Sequence, residues 1–350
     1  MSQKHIGIIG SGAWGTGVAQ ALARGGHFVQ MYSHDADVLT SVNQNHENVK
    51  YLPGYTLSEK VSVSNDIAEV ANSNDYLLFA SPSLYLMDNL KKILNVPAVA
   101  RTRVEIGVLT KGFIPDAAGP RLIVESMESL LPEYYRHNIV YIAGPSHAEE
   151  VAVGKLTGLI AACGNPKLAI EFRDLLKVPG LMVYSSFDVI GVQICAAVKN
   201  VIAIVYGCLD AVAEHSTIFG DNTESLLLAA GLNEIQTIGF AMGATYPETF
   251  TSIAGVGDLD VSCKSKWGRN RRFGRDIINS GILSKFKNLD DLIQHIGEIG
   301  YLPEGVIACK YVHEICVQKN LRLLICSGLY RILNREIEPE DFLTELLMKR

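Results

Sequence analysis

The chain has 350 residues, beyond the length of roughly 250–300 at which single cores stop growing, so two domains are expected. Hydrophobic residues make up 48% and charged residues 19%, which excludes a disordered chain, and a net charge of −6 argues against a nucleic-acid partner. No apolar run approaches the ~18 residues of a membrane span and the first residues lack a signal-peptide layout, so no integral membrane contact is expected.

In chain order, the first predicted element is a strand over 6–9, followed at once by Gly10-Ser11-Gly12-Ala13-Trp14-Gly15, a helical pattern over 16–23 and a second strand over 28–32. Strand, G-x-G-x-x-G, helix and strand are the parts of a βαβ unit that holds a dinucleotide. Gly10 permits the tight turn, Gly12 lets the backbone approach the pyrophosphate, and Gly15 allows close helix–strand packing, while the helix N-terminus offers its N–H groups to the anion. This predicts binding of NAD or NADP.

Further strands at 61–64, 76–80, 104–109, 139–143, 159–162 and 181–184 alternate with amphipathic stretches at 67–71, 86–94, 122–131 and 168–176. That alternation predicts an α/β fold, a doubly wound, mostly parallel, Rossmann-like sheet. Two loops, Thr110-Lys111-Gly112 and Ala143-Gly144-Pro145-Ser146, fall at predicted strand C-terminal ends, where ligands of open α/β sheets bind, so Lys111 and Ser146 are site candidates.

Past residue 187 the strand signals stop. A nearly apolar helix over 189–209 reads as a domain core, and helical patterns follow at 223–242, 271–279, 289–296, 305–319 and 339–348. The expected organisation is a dinucleotide-binding domain over 1–185 and an all-helical substrate-binding domain over 186–350, whose apolar character offers a surface for a homodimer.

Three constellations carry chemistry. Lys199 lies in the apolar helix among Cys195, Ala196, Ile202 and Ala203, so it either snorkels out or sits in a poorly solvated pocket, where desolvation lowers a lysine's pKa toward the range useful for acid–base work. Asp258, in Gly255-Val256-Gly257-Asp258-Leu259, stands on a turn that aims a carboxylate. Gly268-Arg269-Asn270-Arg271-Arg272 places an Arg-Asn pair at a glycine-led helix start, either a solvated charge run or a clamp for a phosphate-bearing substrate.

With these motifs in hand, the chain resembles the NAD(P)-dependent glycerol-3-phosphate dehydrogenases, most closely the bacterial biosynthetic type, nearly end to end. The resemblance rests on Gly10 to Gly15, Tyr51-Leu52-Pro53-Gly54, Thr110-Lys111-Gly112, Gly144-Pro145-Ser146-His147-Ala148-Glu149, Ala197-Val198-Lys199-Asn200-Val201-Ile202, the Asp258 turn and Gly268-Arg269-Asn270-Arg271-Arg272-Phe273-Gly274. It implies reversible reduction of dihydroxyacetone phosphate, a small phosphorylated triose, to sn-glycerol 3-phosphate for phospholipid synthesis. It also implies Lys199 as general acid, with Asp258 and Lys111 orienting it and the substrate. Gly144, Ser146, Asn200, Ser262, Gly268, Arg269 and Asn270 are then substrate-pocket residues. Ala13, Trp14, His34, Lys111, Ala148, Arg269, Leu302 and Glu304 fall on cofactor-contact positions beside Gly10, Gly12 and Gly15.

Several positions depart from the family pattern: Ala13, His147, Gln193, Ala230 and Gly268. For the cofactor, Ser33 and His34 take the contact points after the second strand, and Asp35 stands a position late for the ribose hydroxyl. His34 replaces the arginine usual for a 2′-phosphate, so dual use with NADPH favoured is expected. A two-domain 3-hydroxyacid or ketopantoate reductase, and a catalytically silent dinucleotide sensor, are the competing readings. The seven cysteines, odd in number and without C-x-x-C or metal-ligand spacing, read as reduced thiols and point to the cytoplasm.

Overall fold

The structure, a computed structural model, describes residues 3–348. The chain forms two compact units: one takes the chain up to Ile114 with Leu122–Val189, the other Pro115–Arg121 with the chain from Ile190 onward.

The first unit is built on eight strands: β1 (His5–Ile9), β2 (Phe28–Tyr32), β3 (Val61–Ser64), β4 (Tyr76–Phe79), β5 (Glu105–Val108), β6 (Val140–Ala143), β7 (Thr157–Ala162) and β8 (Leu181–Ser186). Their order in the sheet is β8-β7-β6-β5-β4-β1-β2-β3, so the winding reverses between β1 and β4. Neighbours run parallel, with Ile8 in register with both Met31 and Leu78, except that β6 and β7 are antiparallel and pair Ile142 with Ala161. Every residue of β4 and β6 is buried, as expected of strands covered on both faces. Ile8, Leu22, Met31, Leu78, Ile142 and Phe172 belong to one buried cluster, each side chain contributing about 1.5–3 kcal/mol by its removal from water.

The second unit is helical. Its principal elements follow α1 (Ala13–Arg24) of the first unit in number: α2 (Val189–Ala213), α3 (Asp221–Ala241), α4 (Asp258–Lys264), α5 (Arg269–Asn279), α6 (Glu304–Lys319) and α7 (Leu324–Leu333). From Gly191 to Leu209 every residue of α2 is buried. Here the reading that no apolar run approaches a membrane span is corrected. At 25 residues, with a mean hydropathy of 1.9 over its most apolar 18-residue window, α2 is long and apolar enough to cross a bilayer. Gln193, Lys199 and Asn200 interrupt the apolar run without lowering that mean enough. Yet 89% of the window is buried inside the protein, as in a core helix.

Helices α2 and α5 pack backbone to backbone: a Cβ at Gly274 would stand 2.0 Å from the Ile204 carbonyl oxygen. The same pair is riveted by charge, since Asp210 accepts from Arg271 and Arg275, both at 2.6 Å. Glu234 of α3, buried, accepts from the backbone N–H groups of Ile325 (2.7 Å) and Cys326 (2.9 Å) and so satisfies the start of α7.

The eight predicted strands all form. Among the described residues, three helices of seven residues or more form where none is predicted, Ala36–Asn45, α4 and α7, beside the shorter Pro97–Ala100, Ala148–Ala152 and Glu248–Thr251, and α5 begins at Arg269, ahead of the expected 271.

Candidate functional site: a glycine-rich turn and a buried lysine

In the first unit, β1 ends at Ile9 and the chain turns through Gly10, whose φ of +125° excludes other residues without strain. A Cβ there would meet the Ser81 backbone nitrogen at 2.6 Å, and one on Gly15 would meet the Gly10 carbonyl oxygen at 2.3 Å, so turn, helix and β4 loop are in direct contact. Gly12 is the N-cap of α1, and among the described residues no side chain makes a cap hydrogen bond to that helix start. Among the described residues, and its chain neighbours and the helix's own backbone aside, none comes within 4 Å of where its Cβ would stand. An uncapped helix start with open space in front of it fits the pyrophosphate of a dinucleotide, at the sheet's point of reversal.

The surroundings of the turn are cross-tied. Ser11 Oγ donates to Ser33 Oγ at 2.7 Å, and the fully buried Asn48 donates from Nδ2 to Ser11 O and Thr16 Oγ1, each at 2.8 Å. Asn48 Oδ1 accepts from Tyr51 N at 3.1 Å. Beyond β2, His34 is exposed, while Asp35 accepts from Lys50 Nζ (2.7 Å) and Tyr51 OH (2.6 Å). These bonds hold the Asp35 carboxyl below the usual carboxylate range and push Lys50 up.

The loops after β5 and β6 meet. Lys111 Nζ lies 3.4 Å from the Gly144 carbonyl oxygen, to which Ser146 Oγ donates at 2.9 Å. Ala148, buried, opens the short helix Ala148–Ala152 directly after His147.

In the second unit, Lys199 sits in mid-α2 at 5% exposure and does not snorkel. Its Nζ donates to the Asp258 carboxylate and, at 2.8 Å, to Ser262 Oγ. Asp258 is the first residue of α4, behind a π-helical turn over Ile253–Gly257, and is fully buried; Ser262 lies one helical turn on. A buried ammonium is tolerated where a carboxylate faces it, and the arrangement presents a proton donor of fixed direction.

Arg269 and Asn270 open α5 behind Gly268, with Arg269 exposed. Asn270 spends part of its amide internally, donating from Nδ2 to Asn200 Oδ1 (2.9 Å) and accepting from Gly305 N (2.9 Å). Leu302 and Glu304 flank the start of α6 and are half-buried.

The sequence-predicted residues therefore divide. Gly10, Gly12, Ala13, Trp14, Gly15, His34, Lys111, Gly144, Ser146 and Ala148 belong to the first unit; Lys199, Asn200, Asp258, Ser262, Gly268, Arg269, Asn270, Leu302 and Glu304 belong to the second. Within the second, Lys199, Asp258 and Ser262 form one cluster, and Asn200 and Asn270 another. Sequence reasoning missed Asn48 and the Asp35–Lys50–Tyr51 group; only the Tyr51-Leu52-Pro53-Gly54 motif marked that loop.

The family model described as the NAD-dependent glycerol-3-phosphate dehydrogenase N-terminus matches residues 5–169, and that of the C-terminus matches residues 188–344. A glycerol-3-phosphate dehydrogenase [NAD(P)+] from Treponema denticola is 57% identical over 98% of both chains, and one from Bacillus velezensis is 35% identical over 99% of this chain and 94% of the other. The crystal structure of the glycerol-3-phosphate dehydrogenase from Coxiella burnetii superposes with a TM-score of 0.84 over 99% of each chain at 27% identity. A glycine-led nucleotide cradle, a buried lysine ion-paired in a helical core, and these matches across both halves make the chain a member of the NAD(P)-dependent glycerol-3-phosphate dehydrogenase family, an oxidoreductase that uses NAD or NADP.

Proposed function

We propose that Lys199 is the general acid and base with which this oxidoreductase interconverts dihydroxyacetone phosphate and sn-glycerol 3-phosphate, the backbone of glycerophospholipids. The observation that carries the reading is the burial of Lys199 in α2 with its Nζ on Asp258 and Ser262. A dinucleotide held at Gly10 to Gly15 would supply the hydride for the carbonyl carbon. As charge grows on the carbonyl oxygen, Lys199 Nζ delivers a proton to it; in the reverse direction the neutral amine takes that proton from the hydroxyl. Asp258 supplies the counter-charge, and Ser262 fixes the direction of Nζ.

Arg269 binds the substrate phosphate through its guanidinium, and the unspent N–H of the Asn270 amide adds a second donor, with Asn200 and Gly268 beside them. The phosphate supplies remote binding energy that positions the reacting carbon. Lys111, Gly144 and Ser146 line the substrate's other side. Gly10, Gly12, Ala13, Trp14, Gly15, His34, Lys111, Ala148, Arg269, Leu302 and Glu304 hold the cofactor. The domain division at 185/186 and a homodimer through the helical half belong to the same reading; exposed Leu226 and Phe240 on α3 support the latter. So does a cytoplasmic location, supported by seven buried cysteines that are all free thiols.

The test is steady-state turnover of dihydroxyacetone phosphate beside ketopantoate and acetoacetyl substrates, for the parent and Lys199→Ala. Expected is reduction of the triose phosphate by the parent, and at least about a hundredfold loss of turnover in the variant with dinucleotide binding retained. Unchanged turnover removes Lys199 from the reaction. Binding of dinucleotide without reduction of any phosphorylated ketose would instead favour the silent sensor.

A further inference from the structure

We propose that Lys50 is the cation that takes the 2′-phosphate of NADP, and that its competition with Asp35 for that phosphate sets the balance between NADP and NAD. The proposal rests on the dinucleotide reading of the glycine-rich turn and deepens it.

The end of the second strand in such a unit meets the adenosine ribose. A carboxylate there selects NAD by accepting the 2′-hydroxyl, whereas a cation accepts the 2′-phosphate. Asp35 is the carboxylate that follows β2, and both its oxygens are already engaged, one by the Lys50 ammonium and one by the Tyr51 hydroxyl. It is therefore not the open acceptor that an NAD-selective site presents. The ammonium on it comes from a loop whose position is fixed: Asn48, fully buried, ties that loop to Ser11 and Thr16 of the glycine-rich segment and to the Tyr51 backbone. Ser33 is tied to the same turn through Ser11.

Exposure gives the pair a direction. The Lys50 side chain is 43% exposed and that of Asp35 17%, and the ammonium stands over the Tyr51 ring at 5.2 Å. A phosphate arriving from solvent meets the ammonium before the carboxylate. A phosphomonoester carries more charge than a carboxylate and three acceptor oxygens, so it draws the lysine away. A bare 2′-hydroxyl leaves the Lys50–Asp35 pair intact, and NAD binds without breaking it. His34 is exposed beside them, but an imidazole is a weaker cation than an ammonium.

The test is calorimetric titration of the full-length protein with NADP+ and NAD+, for the parent, Lys50→Met, Lys50→Arg, Asp35→Asn and His34→Ala. Lys50→Met is expected to weaken NADP+ about tenfold while NAD+ stays within about twofold, and Lys50→Arg to restore NADP+. Asp35→Asn is expected to tighten NADP+ roughly three- to fivefold. High ionic strength shrinks the difference between parent and Lys50→Met. Equal weakening of both dinucleotides by Lys50→Met, or an NADP+ loss confined to His34→Ala, overturns the assignment. A parent that binds neither dinucleotide overturns the nucleotide reading itself, which is a different failure.

Discussion

Asn200 accepts a hydrogen bond from Asn270 at 2.9 Å, one residue beyond the buried lysine of α2. The same Asn270 side chain accepts from Gly305 N, so α2, α5 and the start of α6 meet at a single amide. Asn270→Ala strands a carbonyl and a backbone N–H at that junction, at a cost of about 1–3 kcal/mol in denaturant unfolding. Because Arg269 rides on the same helix turn, KM for glycerol 3-phosphate is expected to rise more than kcat falls. A variant as stable as the parent would mean that packing alone, as at Gly274, holds the junction.

The ion pair beneath the proposed proton donor makes a second, sharper prediction. Asp258→Asn leaves the Lys199 ammonium buried without its counter-charge, and about 3–5 kcal/mol of stability should disappear. Ser262→Ala removes one hydrogen bond to the same charged Nζ and should cost less, about 1.5–3 kcal/mol. Parallel melts of the two variants decide it; equal losses would show that the carboxylate contributes no more than the hydroxyl.

His27 gives the first unit a dependence on pH. Burial holds its imidazole below the ordinary 6.5, Lys60 and Lys4 add repulsion, and Nδ1 accepts from Lys4 N at 3.2 Å, which requires the neutral ring. The unfolded chain takes up the proton at its ordinary pKa, the folded chain only lower. This contribution is therefore complete above 6.5 and is lost as the pH falls through 6.5 toward the depressed value. Melting temperature measured against pH should drop more steeply on acidification for the parent than for His27→Gln. Identical slopes would assign the acid sensitivity to other groups.

What the sequence declares depends on how local the cause is. The eight strands are legible because β-branched alternation and flanking turns are short-range signals, and Gly10 to Gly15 announces its turn within six residues. Helix Ala36–Asn45 is hidden because Val38, Thr40 and Val42 and a run of Asn and Gln make a poor helix former; burial of Val38, Ser41 and Val42 on one side holds it. Helix α4 follows a glycine turn that reads as loop. The antiparallel step between β6 and β7 is a matter of sheet placement, which no local pattern carries.

The site divides the same way. Lys199 stands out as a charge on an apolar stripe, and Asp258 by its glycine flanks. That the two touch across 59 positions of chain is a property of the folded helical unit. The Asp35–Lys50 pair stays hidden because it exists only once Asn48 has anchored its loop.

The apolar core helix also sets an order of events during synthesis. Residues 191–209 leave the ribosome before the partners that shield them, since Gly231 of α3 packs on Ile202 and Gly305 of α6 on Asn200. From Ala213 to Lys319 the ribosome has 106 further residues to add, on the order of ten seconds of translation. For that interval the nascent chain carries a greasy rod that α3 can cover on one side while the side that α6 will take stays bare. A stop codon placed between α3 and α6 would leave it so for good, and such a fragment belongs to chaperones or to inclusion bodies.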